Sequence, residues 1–174
     1  LKNVETLIDL FGDRVQAIVT TGTDFGTQSG LFISIAAYRN LFKPYHQRLN
    51  ELIHRKSNWK IFIHSCGAVA QLIPEFIDAG FDILNPVQCS AVGMDAAQLK
   101  RNFGQDLVFW GGCVNTQHTM YQSPEAVYQE VRERIAIFNQ GGGFVCNAVH
   151  NLQGNSPLEN VLAMFRAIRD SSQG

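Results

Sequence analysis

Short apolar runs alternate with longer amphipathic segments along the chain. The apolar runs are rich in β-branched and aromatic residues and apolar on both alternations, which is typical of strands buried on both faces of a parallel sheet. The pattern therefore predicts five strands, at Val15–Thr20, Lys60–His64, Phe81–Leu84 with an extension to Gln88, Asp106–Trp110 and Gly143–Val149.

The segments between these runs predict helices. Tyr38–Lys56 and Ala68–Ala79 carry apolar residues at helical spacing. Ser123 followed by Pro124 is typical of a helix start, and the sequence Ser-Pro-Leu-Glu from Ser156 has the spacing of a capping box. Strand–helix alternation of this kind predicts an α/β fold with a parallel sheet and right-handed crossovers.

The number of strand–helix units limits the architecture. A (β/α)8 TIM barrel uses about 31 residues per unit, so a chain of 174 residues holds five or six of its eight units. Five parallel strands do not close such a barrel. The chain is therefore either an open doubly wound sheet or most of a barrel without its first units. Because we see no linker or low-complexity segment, we expect one domain over residues 1–174.

Composition excludes several classes of protein. The formal net charge of −1, with 17% charged residues, argues against a nucleic-acid-binding face or an acidic tail. We expect no membrane span, because no apolar run reaches 18 residues, and no signal peptide, because the first segment is charged throughout. The cysteines are too sparse for a secreted disulfide scaffold, so we expect reduced thiols in a cytoplasmic protein.

Polar residues follow each predicted strand, at the end of the sheet where parallel α/β folds bind ligands. The most informative pair is His64 and Cys66, since residues two apart on a strand point to the same side. Zinc binds imidazole nitrogen and thiolate sulfur, and catalytic zinc has three protein ligands. The third ligand could be Cys146, His150 or Cys113. Alternatively, His64 is a buried structural histidine and Cys66 a small core residue.

Asp24 follows the first predicted strand and has two interpretations. An aspartate at this position could cap the start of an exposed helix. As a strand-end carboxylate inside a pocket it would instead accept a proton or anchor a ligand amine.

Four stretches in order resemble the uroporphyrinogen decarboxylase (URO-D) superfamily, in particular its branch of cobalamin (corrinoid)-dependent methyltransferases. They are TDFGTQSGLFISIAAYRNLFKPYHQRL, FIHSCGAVAQLIPEFIDAGFDILNPVQ, VFWGGCVNTQHTMYQSPEAV and GGGFVCNAVHNLQGNSPLENVLAMF. Members of this family are (β/α)8 barrels of about twice this length. The resemblance implies that this chain corresponds to the C-terminal part of the barrel.

The methyltransferase branch implies a metal site. Its members that move a methyl group from a corrinoid to a thiol carry His-x-Cys and a later Cys as zinc ligands. His64 and Cys66 match the first two ligands. Counting back from the Ser-Pro-Leu-Glu-Asn block, the third position falls at His150, whereas Cys146 is the nearest cysteine. The resemblance thus implies Zn²⁺ held by His64, Cys66 and either Cys146 or His150.

The implied reaction is methyl transfer between a corrinoid carried by a partner protein and a small thiol or similar acceptor. Asn85, Gln88 and Asn147 would orient the bound molecule as uncharged hydrogen-bonding groups. A first alternative is metal-free decarboxylation of a tetrapyrrole, with Asp24 and His150 as the catalytic groups. A second is a non-catalytic half barrel that binds a corrinoid protein, or a second copy of itself through its unpaired edge strands.

Overall fold

The computed structural model describes residues 1–172 and contains one parallel five-stranded sheet. The strands lie side by side in chain order, and each neighbouring pair is parallel. A doubly wound sheet reverses its strand order at a switch point, whereas a barrel wall does not. The order therefore confirms an α/β fold that forms part of a (β/α)8 barrel. The strands are β1 Ala17–Thr21, β2 Lys60–His64, β3 Ile83–Asn85, β4 Val108–Trp110 and β5 Phe144–Val145.

Seven α-helices flank the strands. They are α1 Lys2–Phe11, α2 Ile35–Leu41, α3 Lys43–Lys56, α4 Ile73–Asp78, α5 Ala96–Phe103, α6 Pro124–Phe138 and α7 Leu158–Ser171. The helix predicted over Tyr38–Lys56 is divided at Phe42, because Pro44 occupies the first turn of α3 and has no N–H for a continuing helix. Ser123 caps α6 as predicted. The prediction of a capping box at Ser156 is wrong, since the N-cap residue of α7 is Pro157.

The hydrophobic core has two parts. The first, which we call the aromatic cluster, extends from β1 to β4 and contains the fully buried rings of Phe25, Tyr38, Phe76 and Phe109. The second, the α6–α7 cluster, is built mainly of smaller aliphatic side chains. Its buried members are Cys113, Val114, Met120, Val127, Val131, Ala148, Ala163, Met164 and Ala167.

Both edges of the sheet are open in the described part of the chain. There β1 pairs with β2 alone and β5 with β4 alone. Val19 on β1 is 63% exposed, and α7 presents the exposed apolar side chains of Leu158, Leu162 and Phe165. No helix within residues 1–172 has the length and hydropathy needed to cross a membrane.

Candidate functional site

Three potential metal ligands meet at the carboxyl ends of β1 and β2. His64 is the last residue of β2, Cys66 lies two positions later, and Asp24 lies in the loop after β1. Their ligand atoms all lie within 4.8 Å of one another. His64 Nε2 is 3.7 Å from Cys66 Sγ and 3.9 Å from Asp24 Oδ1. The sequence pattern predicted the His-x-Cys pair, and the structure adds Asp24 to it.

Hydrogen bonds from backbone N–H groups to side-chain oxygens hold the Asp24 loop against the end of β2. The Cys66 N–H donates to Asp24 Oδ1 at 2.8 Å, and the Phe25 N–H donates to Ser65 Oγ at 2.9 Å. The loop approaches so closely at Gly67 that a Cβ there would lie 2.5 Å from the backbone of Gly26. Gly67 also has a φ of +89°, which favours glycine. The carboxylate of Asp24 is thereby fixed beside the thiol.

The side chain of Phe25 anchors the same loop in the aromatic cluster. Its ring is only 1% exposed and packs edge-on against Tyr38 and Phe42, with centroid distances of 5.3 and 5.0 Å. The residue next to Asp24 is thus buried in the aromatic cluster, while the Asp24 side chain remains about half exposed. Asp24 is not a helix cap, because the N-cap of the following helix α2 is Ser34.

The three side chains predicted to orient a substrate have different surroundings. Asn85 Oδ1 accepts a hydrogen bond from His64 Nδ1 at 2.8 Å. Gln88 accepts from the Gly67 N–H at 2.9 Å and donates to Gln28 at 2.7 Å, so it fastens the loops around Cys66. Asn147 donates to the carbonyl of its neighbour Ala148 and contacts none of the three potential ligands by hydrogen bond within residues 1–172.

The structure pairs Cys113 with Cys146 in a disulfide between the carboxyl ends of β4 and β5. The prediction of four reduced thiols is therefore wrong for this pair, whereas Cys66 and Cys89 are free. A sulfur in a disulfide has no proton to lose and is not a thiolate ligand. Cys146 and Cys113 are thus removed from the candidates for the third metal ligand. Their separation of 33 residues gave no signal in the sequence for this pairing.

His150 lies outside the group of three ligands but borders the same space as Cys66. A cavity of about 200 Å³ is lined by Cys66, Gln88, Ser90, Asn115, Thr116, Gln117, Val149 and His150. Most of these side chains offer uncharged hydrogen-bonding groups. The cavity therefore places a polar binding space directly beside the thiol, and His150 contributes to its wall as an exposed side chain.

The electrostatics of the site favour a bound cation. Partial burial, followed by the charge and hydrogen bond of the adjacent Asp24 carboxylate, raises the pKa of the Cys66 thiol to about 11. Without a cation the thiol is therefore protonated at neutral pH. A bound metal ion would instead lower the pKa of the thiol, because it stabilises both the thiolate and the neighbouring carboxylate. A carboxylate, a thiol and an imidazole are each able to bind a metal ion such as Zn²⁺.

Comparison with known proteins gives a family and a fold. The model of the family described as Uroporphyrinogen decarboxylase (URO-D) matches residues 3–171. Uroporphyrinogen decarboxylase from Mannheimia succiniciproducens is 30% identical over 96 residues, covering 53% of this chain and 27% of the relative. The enzyme of the same name from Shewanella loihica is 23% identical over 182 residues, covering 95% and 48% respectively.

A solved structure has a similar fold. It is described as a methyltransferase from Methanosarcina mazei, with 22% sequence identity and a TM-score of 0.60, and the match covers 82% of this chain and 39% of that one. This chain spans about half or less of the length of the relatives that it matches.

Proposed function

The chain belongs to the uroporphyrinogen decarboxylase family, and from that premise we propose that it provides the metal-binding part of a zinc-dependent methyltransferase. The reaction would move a methyl group between a corrinoid-carrying partner protein and a small thiol or similar acceptor. One observation carries the proposal: Asp24, His64 and Cys66 bring three potential zinc ligands within 4.8 Å at the carboxyl ends of the strands. Metal-free decarboxylation has no need of such a group.

The three side chains fit Zn²⁺ in chemistry and in spacing. Zinc binds thiolate, imidazole and carboxylate at about 2.0–2.3 Å, and ligand atoms at the corners of such a tetrahedron lie about 3.3–3.7 Å apart. The distances of 3.7 and 3.9 Å from His64 Nε2 are close to this range. We assign the third position to Asp24, in place of the Cys146 or His150 expected from the sequence. Three protein ligands leave one position for an acceptor, as in catalytic zinc sites.

The charges of the ligands suit thiol alkylation. When bound, Zn²⁺ would supply the positive charge that keeps an acceptor thiol deprotonated at neutral pH. Cys66 and Asp24 contribute two negative charges, and neutral His64 contributes none. These two anions balance the charge of the ion, so the acceptor sulfur keeps the electron density that it needs to attack a methyl group.

The cavity beside Cys66 suits a small acceptor. A volume of about 200 Å³ equals the share of about seven water molecules at about 30 Å³ each. A corrinoid macrocycle is far larger, so it would stay on its carrier protein at the mouth of the cavity. Asn115, Thr116 and His150 could hydrogen-bond the polar part of the acceptor.

Metal content of the purified protein tests this proposal. We expect close to one zinc per chain, measured by mass spectrometry of the metal after dialysis. Cys66→Ser, His64→Ala and Asp24→Asn should each lose most of it. Cys89→Ser is the matched control, because Cys89 is the other free thiol and packs against the hydrophobic core. Zinc that survives in Cys66→Ser, or that is absent from the unmutated protein, would contradict the proposal.

Decarboxylation of a tetrapyrrole is the second candidate, favoured by the description of the curated relatives as uroporphyrinogen decarboxylases. In that case Asp24 and His150 would supply the titratable groups. Turnover of uroporphyrinogen by metal-free protein, with full activity retained in Cys66→Ser, would establish it in place of methyl transfer. Absence of both activities together with binding of a corrinoid protein would instead support the non-catalytic half barrel.

A further inference from the structure

The amide of Asn85 has only one orientation that satisfies both of its neighbours. Asn85 is the last residue of β3, and its side chain lies between the backbone carbonyl of Trp110 and the ring of His64. The Trp110 oxygen accepts hydrogen bonds but donates none, so the Asn85 Nδ2 amino group faces it at 2.9 Å. The Asn85 carbonyl oxygen must then face His64.

This orientation decides which nitrogen of His64 carries the hydrogen. Asn85 Oδ1 is an acceptor and lies 2.8 Å from His64 Nδ1, so Nδ1 must be the donor. A neutral imidazole has a single N–H, which leaves a lone pair on Nε2. Nε2 is the nitrogen that lies 3.7 Å from Cys66 Sγ and 3.9 Å from Asp24 Oδ1. The opposite amide orientation would place two oxygen atoms 2.9 Å apart and is excluded.

Pairing between β2 and β3 holds Asn85 beside His64. Asn85 pairs in register with His64, and the Ser65 N–H donates to the Asn85 carbonyl at 2.7 Å. On the other side, Gly111 has a φ of +96°, and a Cβ there would lie 3.4 Å from Asn85 Nδ2. The positive φ favours glycine at this turn beside the Asn85 amide.

We propose that Asn85 is a positioning residue that fixes His64 in its Nδ1–H tautomer and so keeps Nε2 free to bind the metal ion. This role rests on the proposed function, and it replaces the substrate-orienting role predicted for Asn85 from the sequence. Residues that hydrogen-bond the second nitrogen of a ligand histidine typically change metal affinity by about 10–100-fold when they are removed.

Two substitutions separate the acceptor role of Asn85 from its shape. Asn85→Leu removes the acceptor at similar size, whereas Asn85→Asp keeps an oxygen facing His64 Nδ1. We expect zinc affinity, measured by competition with a chromogenic chelator, to fall about 10–100-fold in Asn85→Leu and to recover in part in Asn85→Asp, whose second oxygen loses the hydrogen bond to the Trp110 carbonyl. Asn102→Leu is the matched control, because Asn102 is exposed on α5 and belongs neither to the group of three ligands nor to the cavity wall, and we expect its zinc affinity to be unchanged.

A second measurement reads the tautomer directly in metal-free protein. Long-range ¹H–¹⁵N NMR at alkaline pH should show the Nδ1–H form for His64 in the unmutated protein and in Asn85→Asp. His64→Gln identifies the signal. An Nε2–H form in the unmutated protein would overturn the proposal, as would unchanged zinc affinity in a folded Asn85→Leu. If the protein binds no zinc, the proposed function and the metal-directed role of Asn85 both fail, whereas an Nδ1–H signal would still confirm the tautomer.

Discussion

The two halves of the sheet end in differently built loops. At the carboxyl ends of β1, β2 and β3, side chains reach between loops, as in the bonds from Cys66 to Asp24 and from His64 to Asn85. These loops rest on the aromatic cluster. At the ends of β4 and β5, the loops are joined mainly by backbone hydrogen bonds and by the disulfide between Cys113 and Cys146, with a side-chain hydrogen bond from Tyr121 to Asn155, above the smaller side chains of the α6–α7 cluster.

This difference explains where the candidate ligands converge. Functional groups are held accurately when packed side chains and secondary hydrogen bonds restrain them. In the first half, the buried ring of Phe25 restrains the loop that carries Asp24. In the second half, Asn147 and His150 are exposed and bind none of the three ligands by hydrogen bond within residues 1–172. The site is therefore a product of the first half, with the second half supplying a wall of the cavity.

The largest effect is expected from removal of the Phe25 ring, which tests whether the aromatic cluster holds the candidate site. Phe25→Ala should lower the free energy of unfolding by about 3–5 kcal/mol, as expected for a large buried aromatic side chain, and should also reduce zinc content because Asp24 is adjacent. Phe165→Ala on α7 is the matched control, since that ring is 57% exposed, and it should cost less than about 1 kcal/mol. Urea unfolding measures both, and equal losses would contradict the contrast.

Removal of the disulfide tests the second half by itself. The double variant Cys113→Ala with Cys146→Ala should lower the free energy of unfolding by about 2–4 kcal/mol. We expect its zinc content to equal that of the unmutated protein, because neither residue belongs to the group of three ligands. Urea unfolding and metal analysis of the same preparations check this. A parallel loss of zinc would show that the two halves depend on each other.

A smaller effect is expected from Glu75, which joins α4 to α2 and α3 through Arg39 and Lys43. Both salt bridges have N–O distances of 2.6 Å, and hydrogen bonds from Arg39 and then Lys43 lower the pKa of Glu75 to about 2. Because the pKa is lower in the folded state, this stabilisation is complete above about pH 4.5 and is lost as the pH falls toward 2.

Glu75→Gln should therefore cost about 1–2 kcal/mol at pH 7 and should make thermal stability less sensitive to acid. Melting temperatures between pH 7 and pH 2 for both proteins measure this. If the two curves remain parallel throughout, Glu75 does not contribute through its charge.

The fold was largely predictable because strands buried on both faces leave a clear pattern. The prediction for β2, Lys60–His64, agrees with the structure at both ends. β5 was predicted as Gly143–Val149 but is only Phe144–Val145, because the residues after it pair irregularly with the loop after β4, as in the bond from Cys113 N to the Asn147 carbonyl. α5 was not predicted, since a helix of eight residues contains few repeats of the hydrophobic period.

The candidate site was predictable only where its residues are neighbours in sequence. His64 and Cys66 are two apart on one strand, so periodicity alone places them together. The contact of Asp24 with Cys66 spans 42 residues and depends on the packing of Phe25 and on the close approach at Gly67. Neither contact has a local pattern in the sequence. For the same reason the disulfide of Cys146 was missed and that residue was predicted as a ligand.

The distance in sequence between Asp24 and Cys66 would also link binding of the proposed metal ion to folding. Asp24 and Cys66 are 42 positions apart in the sequence. They come together only when β1 and β2 have paired, so the complete set of ligands is absent from the unfolded chain. Binding energy at such a site is then folding energy. An ion present at 100 times its dissociation constant would stabilise the native state by about 2.7 kcal/mol. The melting temperature of the protein would accordingly report the zinc concentration around it, and a chelator would lower that temperature.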